Sequence, residues 1–231
     1  MEKPTVLLSR VRVWDLPTRL FHWLLVASLA GLFSSAYWPG GAQQLHSRLG
    51  YAVLALVLFR LVWGFTGGYW SRWARMVPSP RRVWRYLRGQ GSAVDSVGHT
   101  PLGSLSVAAF MAILAAQVTT GLLTNDEIAF TGPLNRFVST ETGLAATHWH
   151  KDVGQWVVLA WVVLHIVAIA WHQFRLRRSL VGAMVHGDKE LPGEVATGLR
   201  RSRDDLTTRV AAAVLLALCI GAVVAVVRLG Y

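Results

Sequence analysis

The sequence predicts an all-α integral membrane protein: a helical bundle with a four-helix core and a fifth, C-terminal transmembrane helix. Three observations predict it. Charged residues make up only 15% of the 231 residues and hydrophobic ones 53%, whereas a soluble domain carries about a quarter charged residues. The mean hydropathy is +0.41, and apolar windows of about 18–25 residues, the length that crosses a bilayer as a helix, recur at Leu20–Trp38, Leu45–Thr66, Leu102–Leu123, Thr147–Phe174 and Val210–Val227. Basic residues crowd onto alternate connections, as the positive-inside rule requires.

The elements follow in order. Lys3, Arg10, Arg12 and Arg19 lie in an N-terminal tail before the first span, which is too long for a signal-peptide core and is read as retained. Pro39-Gly40-Gly41 breaks the chain, and so short a break makes spans one and two an antiparallel hairpin. The Gly67–His99 loop carries Arg72, Arg75, Arg81, Arg82, Arg85 and Arg88. Within it Arg81–Arg88 reads as an interfacial helix with Trp84 and Tyr86 toward lipid, and Gly89–Gly98 as flexible. Thr100-Pro101 starts span three. Asn125–Ala146 is an outer loop whose only basic residue is Arg136. Beyond span four, Gln173–Leu206 is again basic, with Arg175, Arg177, Arg178, Lys189, Arg200, Arg201 and Arg203, and Lys189–Leu206 reads as a polar linker to span five.

This pattern puts the N-terminus in the cytoplasm and the C-terminus outside. It divides the chain into a membrane domain, 1–189, and a linker with one more transmembrane helix, 190–231. The net charge of +11 then attracts anionic lipid headgroups rather than nucleic acid. Cys219 is the only cysteine and lies inside the last span, so there is no disulfide and no covalent c-type haem motif.

Four histidines fall within or at the ends of the spans, at two depths. Ionisable groups in a bilayer are costly and are kept for function. His22 is near the cytoplasmic end of span one and His46 at the outer start of span two. His150 and His165 share span four, fifteen residues apart, which is roughly 22 Å of rise and an angular offset of roughly 60°. Both then face the bundle interior. His46 pairs with His150 and His22 with His165, and each pair supplies both axial nitrogens of a low-spin haem b. The competitors are His148 for the outer level and His172, seven residues after His165, for the inner. His99 stands at the inner surface before span three and His186 in a polar loop.

Small and charged residues fit around such groups. Gly50 and Gly154 each follow a histidine by four residues, and a planar macrocycle beside a helix needs a missing side chain; close helix packing explains either glycine alone equally well. Arg60, in the inner half of span two, and Arg19 suit haem propionates, with snorkelling to headgroups as the other reading for Arg60. The tryptophans at span ends form aromatic belts.

Arg12-Val13-Trp14-Asp15 with Arg19-Leu20-Phe21-His22-Trp23 resembles the opening of the bacterial cytochrome b561 family, which includes the cytochrome b subunits of nickel–iron hydrogenases. His46 with Gly50 resembles its second-span motif, Gly98-His99-Thr100-Pro101-Leu102-Gly103 and Thr120-Gly121-Leu122 the two ends of its third span, and His150, His165, Met184 and Gly187 its fourth span and tail. The resemblance covers roughly residues 10–189. It implies a four-helix core with two b haems held by His22, His46, His150 and His165, in the bacterial inner membrane. It also implies electron flow between the quinone pool and a periplasmic redox partner. The fifteen-residue spacing in span four is one longer than the family pattern, and the fifth span lies outside the usual core.

The expectation is therefore a dihaem cytochrome b that exchanges electrons between membrane quinone and a periplasmic hydrogenase subunit or c-type cytochrome. His99, Arg60 or Gln117 are candidates to line a quinone cleft. Two other classes stand beside it: a self-contained quinone oxidoreductase acting on a small molecule such as superoxide, and a non-redox transporter or anchor subunit. Asp and Glu are confined to loops and span ends, which disfavours a transporter.

Overall fold

Asp15 opens the first long helix. Its carboxylate accepts the Thr18 N–H at 2.7 Å, and Pro17 sits in the first turn, where a missing N–H costs nothing. The helix therefore starts four residues before the apolar window. The computed structural model describes residues 8–38, 42–128, 130–176 and 179–230; Lys3, the Pro39-Gly40-Gly41 break, Arg177 and Arg178 lie outside them.

In chain order the elements are β1 (Leu8–Arg12), α1 (Leu16–Ala36), α2 (Gln43–Thr66), α3 (Trp73–Met76), α4 (Pro80–Leu87), α5 (Pro101–Leu123), α6 (Thr140–His148), α7 (Gln155–Ala170), α8 (Leu180–His186), β2 (Asp188–Pro192), α9 (Gly193–Ala196) and α10 (Leu206–Arg228). A π-helical turn, Trp149–Gly154, joins α6 to α7, and a second, Trp171–Arg175, follows α7. Among the described residues five helices are long and apolar enough to cross a membrane: α1, α2, α5, the continuous helical stretch Thr140–Arg175, and α10. Each expected span is present.

Four expectations are corrected. The segment before span one is not a tail, because Leu8–Arg12 pairs antiparallel with Asp188–Pro192, Arg10 opposite Glu190. The stretch after Lys189 is accordingly no plain linker: it supplies β2 and α9, and further on Ser202 donates its N–H to the Arg12 carbonyl and its hydroxyl to that of Val13. Gly89–Gly98 is not structureless: Ser92 and Asp95 form a capping box and Arg82 reaches Asp95 at 2.5 Å. The loop after span three ends early, where Ser139 caps α6 by accepting the Thr142 N–H.

The described residues divide into two units. Unit 1 takes in Met1–Leu20, Val62–Ala108 and Val167–Ala212; unit 2 takes in Phe21–Leu61, Ala109–Ile166 and Ala213–Tyr231. Under the ribbon of unit 1 lies a core of Val11, Val13, Trp14, Val97, Ala183 and Leu191. Beside it Asp15, fully buried, accepts from Trp63 Nε1 and from the Gly68 N–H as well as from Thr18. Gly187 turns the chain from α8 into β2 with φ +88°, and its carbonyl takes the N–H groups of Val13 and Trp14. A side chain there would be strained and would collide with the Trp14 carbonyl. Asp204, with its side chain 8% exposed, joins Arg12 at 2.8 Å and Arg209 at 3.2 Å. Among the described residues five Lys and Arg belong to unit 2, Arg48, Arg60, Arg136, Lys151 and Arg228, and the others to unit 1.

Candidate functional site

All four span histidines belong to unit 2, and they come together in two pairs. The rings of His46 and His150 are 6.1 Å apart between centroids and cross at 83°. Those of His22 and His165 are 6.4 Å apart and cross at 55°. The distances decide between chemistries. A direct N–H···N bond of about 2.9 Å would bring two imidazole centroids to about 5 Å. A single metal ion between two ring nitrogens, each bond about 2.0–2.1 Å, would put them about 6.3 Å apart. Both pairs match the second figure. Among the described residues no group of three or more His, Cys, Asp or Glu is arranged to hold a bare metal ion, so a metal at either pair would take its remaining ligands from a group other than the chain. A porphyrin supplies four coplanar nitrogens, and the two pairs fit it.

The His46–His150 pair opens on a cavity of about 440 Å³, lined also by Gly50, Gln117 and Gly121, within the ~300–1,000 Å³ range of small-molecule and cofactor sites. At Gly50 an added Cβ would meet nothing within 4 Å, so that glycine faces open space. Gly154 does not serve in the same way: a Cβ there would run into Gln117 Oε1, so this glycine is a close-packing residue. Gly121, quoted above only as part of a motif, proves to be the gap that admits the His150 ring, for a Cβ there would lie 2.8 Å from Cε1.

The imidazoles of this pair are held by backbone carbonyls. His150 Nδ1 lies 2.9 Å from the Gln117 carbonyl and His46 Nδ1 3.2 Å from that of Leu32, with Ser35 Oγ also at 3.2 Å. A carbonyl only accepts, so each Nδ1 carries the proton and each Nε2 is left as a donor for metal. Gln117 completes the grip by donating its side-chain Nε2 to the His150 carbonyl at 3.0 Å. That carbonyl lies in the π turn, where the regular i→i−4 pattern is interrupted. A π turn takes in one residue more than an α turn, so fifteen residues from His150 to His165 advance about as far as fourteen in an unbroken α-helix, close to four whole turns. The extra residue noticed in the spacing is absorbed there.

The other pair is held differently. His22 Nδ1 is buried without a hydrogen-bond partner, and the His22 ring stands edge-on to Trp23 at 4.9 Å.

The remaining expected site residues are distributed as follows. Arg60 is buried at 3% exposure in α2. Arg19 donates to the Val185 carbonyl at 2.6 Å and approaches Asp204 at 3.7 Å, so it has partners within the protein. His99 belongs to unit 1 and packs on Trp14 at 4.7 Å. His172 also belongs to unit 1, in the second π turn. His148 is largely exposed and paired with Asp152 at 2.8 Å, so it does not enter the cavity.

The sequence of residues 13–187 matches the family model described as prokaryotic cytochrome b561. The chain belongs to that family. Relatives of this cytochrome b561 family member include proteins named "Probable Ni/Fe-hydrogenase B-type cytochrome subunit". The one from Azotobacter chroococcum is 26% identical over 212 residues, covering 78% of this chain and 88% of the relative. "Probable Ni/Fe-hydrogenase 1 B-type cytochrome subunit" of Escherichia coli K12 is 22% identical over 211 residues, with 76% and 88% covered. The relative in Cupriavidus necator is 25% identical over 210 residues, with 76% and 85% covered.

Proposed function

We propose that this family member carries electrons across the bacterial inner membrane through two non-covalent b haems. His46 and His150 would hold one haem and His22 and His165 the other. The observation that carries the reading is the pair of ring separations, 6.1 and 6.4 Å, each suited to one six-coordinate metal. Bound haem would supply one-electron iron chemistry at each pair.

The chain's own residues do the rest. The Leu32 and Gln117 carbonyls fix the tautomers of His46 and His150 and keep Nε2 turned to the metal. Gly50 and Gly121 leave room for a flat macrocycle and for the His150 ring. Arg60 offsets propionate charge inside the span. Arg19 is instead engaged by the Val185 carbonyl and Asp204. Two imidazoles at each site would leave no open place for oxygen on a bound haem, which favours electron transfer over chemistry at the metal.

The crowding of basic residues onto alternate connections supports a cytoplasmic N-terminus and a periplasmic C-terminus. The partners are membrane quinone and a periplasmic redox protein. The names of the relatives support a hydrogenase subunit for that role, with a c-type cytochrome as the other candidate. A quinone cleft would be lined by His99 or, as the alternative, by Arg60; the Gln117 side chain is engaged by His150. The membrane domain of residues 1–189 carries the haems, and the helix within 190–231 serves subunit contact.

The test is a reduced-minus-oxidised visible spectrum of the purified chain with its haem-to-protein ratio. Two b-type haems per chain are expected, falling to one in His22→Ala and to one in His46→Ala. A protein purified without haem, or retaining both haems in either variant, overturns the reading.

A further inference from the structure

Unit 1 contains a second concavity, well removed in sequence from the four paired histidines and lined by arginines. The chain leaves α2 at Thr66 and turns through Tyr69–Ser71, so this cavity begins where a membrane-length helix ends. It measures about 240 Å³ and is bounded by Tyr69, Trp70, Arg75, Arg82, Asp95 and Arg200, with Val94 and Leu199 as its apolar walls. Its charges are unevenly answered. Asp95 is the one carboxylate in the lining and is already occupied: it takes Arg82 Nε at 2.5 Å and the Ser92 N–H at 2.8 Å. Burial alone would raise its pKa, but the Ser92 and Arg82 hydrogen bonds hold it below the ordinary carboxylate range, so it stays ionised and committed to Arg82.

Arg75 and Arg200 make no carboxylate pair among the described residues. Both guanidiniums instead lie over the ring of Tyr69, at 4.6 and 5.6 Å from its centroid. Two like charges gathered on one ring repel each other, and the ring repays each only modestly. The backbone keeps them there: Trp70 donates Nε1 to the Arg200 carbonyl at 2.8 Å and its N–H to Ser202 Oγ at 3.3 Å, and its own ring stands edge-on to Tyr69 at 5.1 Å. Gly198, with φ +85° and open space where a Cβ would be, lets the chain turn beside the cavity without filling it. The result is a small fixed concavity with two planar, unanswered cations, the geometry that receives a tetrahedral oxyanion.

We infer that this pocket binds a phosphate-bearing anion, as the headgroup of an acidic phospholipid or as free phosphate. A lipid phosphodiester has access because α4, which contributes Arg82, is an amphipathic helix with Trp84 57% exposed. Basic pockets at the cytoplasmic ends of membrane helices are a recurrent site for such headgroups. The inference does not depend on haem, only on these helices crossing a membrane.

The experiment uses the full chain in detergent, stripped of lipid. Native mass spectrometry scores retention of added cardiolipin or phosphatidylglycerol against phosphatidylcholine, and calorimetry scores inorganic phosphate. Arg75→Gln/Arg200→Gln is compared with Arg85→Gln/Arg175→Gln, which removes the same charge outside the pocket. All four side chains are solvent-facing, and thermal melting confirms that both variants fold. Acidic-lipid retention is expected to fall roughly tenfold in the pocket variant and to change little in the control. If phosphate binding shows that same selective loss while lipid retention does not, the pocket stands with free phosphate as its ligand. Equal losses in the two variants, or no binding of either kind that the pocket variant diminishes, overturn it.

Discussion

The two histidine pairs share a ring separation and differ in what holds the rings. His46 and His150 each turn Nδ1 to a backbone carbonyl, and Gln117 grips His150 at both its ring and its own carbonyl. His22 has a buried Nδ1 with no hydrogen bond and relies on packing against Trp23. Imidazole that donates a hydrogen bond from Nδ1 pushes more electron density to its other nitrogen and so favours the oxidised metal. Were haem bound at both pairs as proposed, this difference would make the His46–His150 site the stronger reductant and the His22–His165 site the better electron acceptor.

The largest way to break the comparison is to remove a ligand. His150→Ala should leave one haem with the higher potential, and His165→Ala one haem with the lower; a redox titration of each variant checks it, and the reverse assignment would contradict the order. A smaller effect is expected from Gln117→Ala. It removes the donor to the part-buried His150 carbonyl, which costs about 1 kcal/mol, so haem loss on dilution should quicken at the His46–His150 site alone. Deleting Asp152, largely exposed within the π turn, should convert that turn to α-helix and keep both haems, because it restores fourteen residues between the ligands. Loss of a haem in that variant would show that the turn does more than absorb one residue.

The smallest effect concerns unit 1, where the ribbon and its ion pairs sit. For Asp204, burial alone would raise the carboxyl pKa, but hydrogen bonds from Arg209 and the Leu16 N–H, with the charges of Arg209 and Arg12, hold it below its ordinary value, which is about 3.9. Its contribution to stability is thus complete above about pH 4–5 and disappears as pH falls through the lowered folded-state value. Melting temperature measured against pH should be flat in this contribution near neutrality and decline in acid, with a shallower decline in Asp204→Asn.

Much of this architecture is legible in the residues themselves. Span length is set by bilayer thickness, so the five apolar windows find the five long helices to within four residues at each end, except that the fourth begins seven residues earlier, at Thr140. Histidine is rare enough in lipid that four of them at two depths stand out. The features that stay hidden are those set by contact between distant segments. Nothing in Leu8–Arg12 announces a partner some 180 residues later. Gln117 on an otherwise apolar helix gives no sign that it faces His150, and a single Gly121 in a membrane helix reads as ordinary small-residue packing. The π turn leaves one trace, the extra residue between His150 and His165, which acquires meaning only when the backbone is seen. Gly50 and Gly154 look alike in sequence, four residues after a histidine each; only the first faces open space.

The most direct test of the account is the electron paramagnetic resonance spectrum of the oxidised, full-length protein. Ring planes crossing at 83° and 55° should yield two low-spin ferric signals, the more anisotropic one from the near-perpendicular His46–His150 pair. The account predicts that His46→Ala abolishes that signal and His22→Ala the other. A single signal in the unaltered protein, or loss of the more anisotropic signal in His22→Ala, would contradict it.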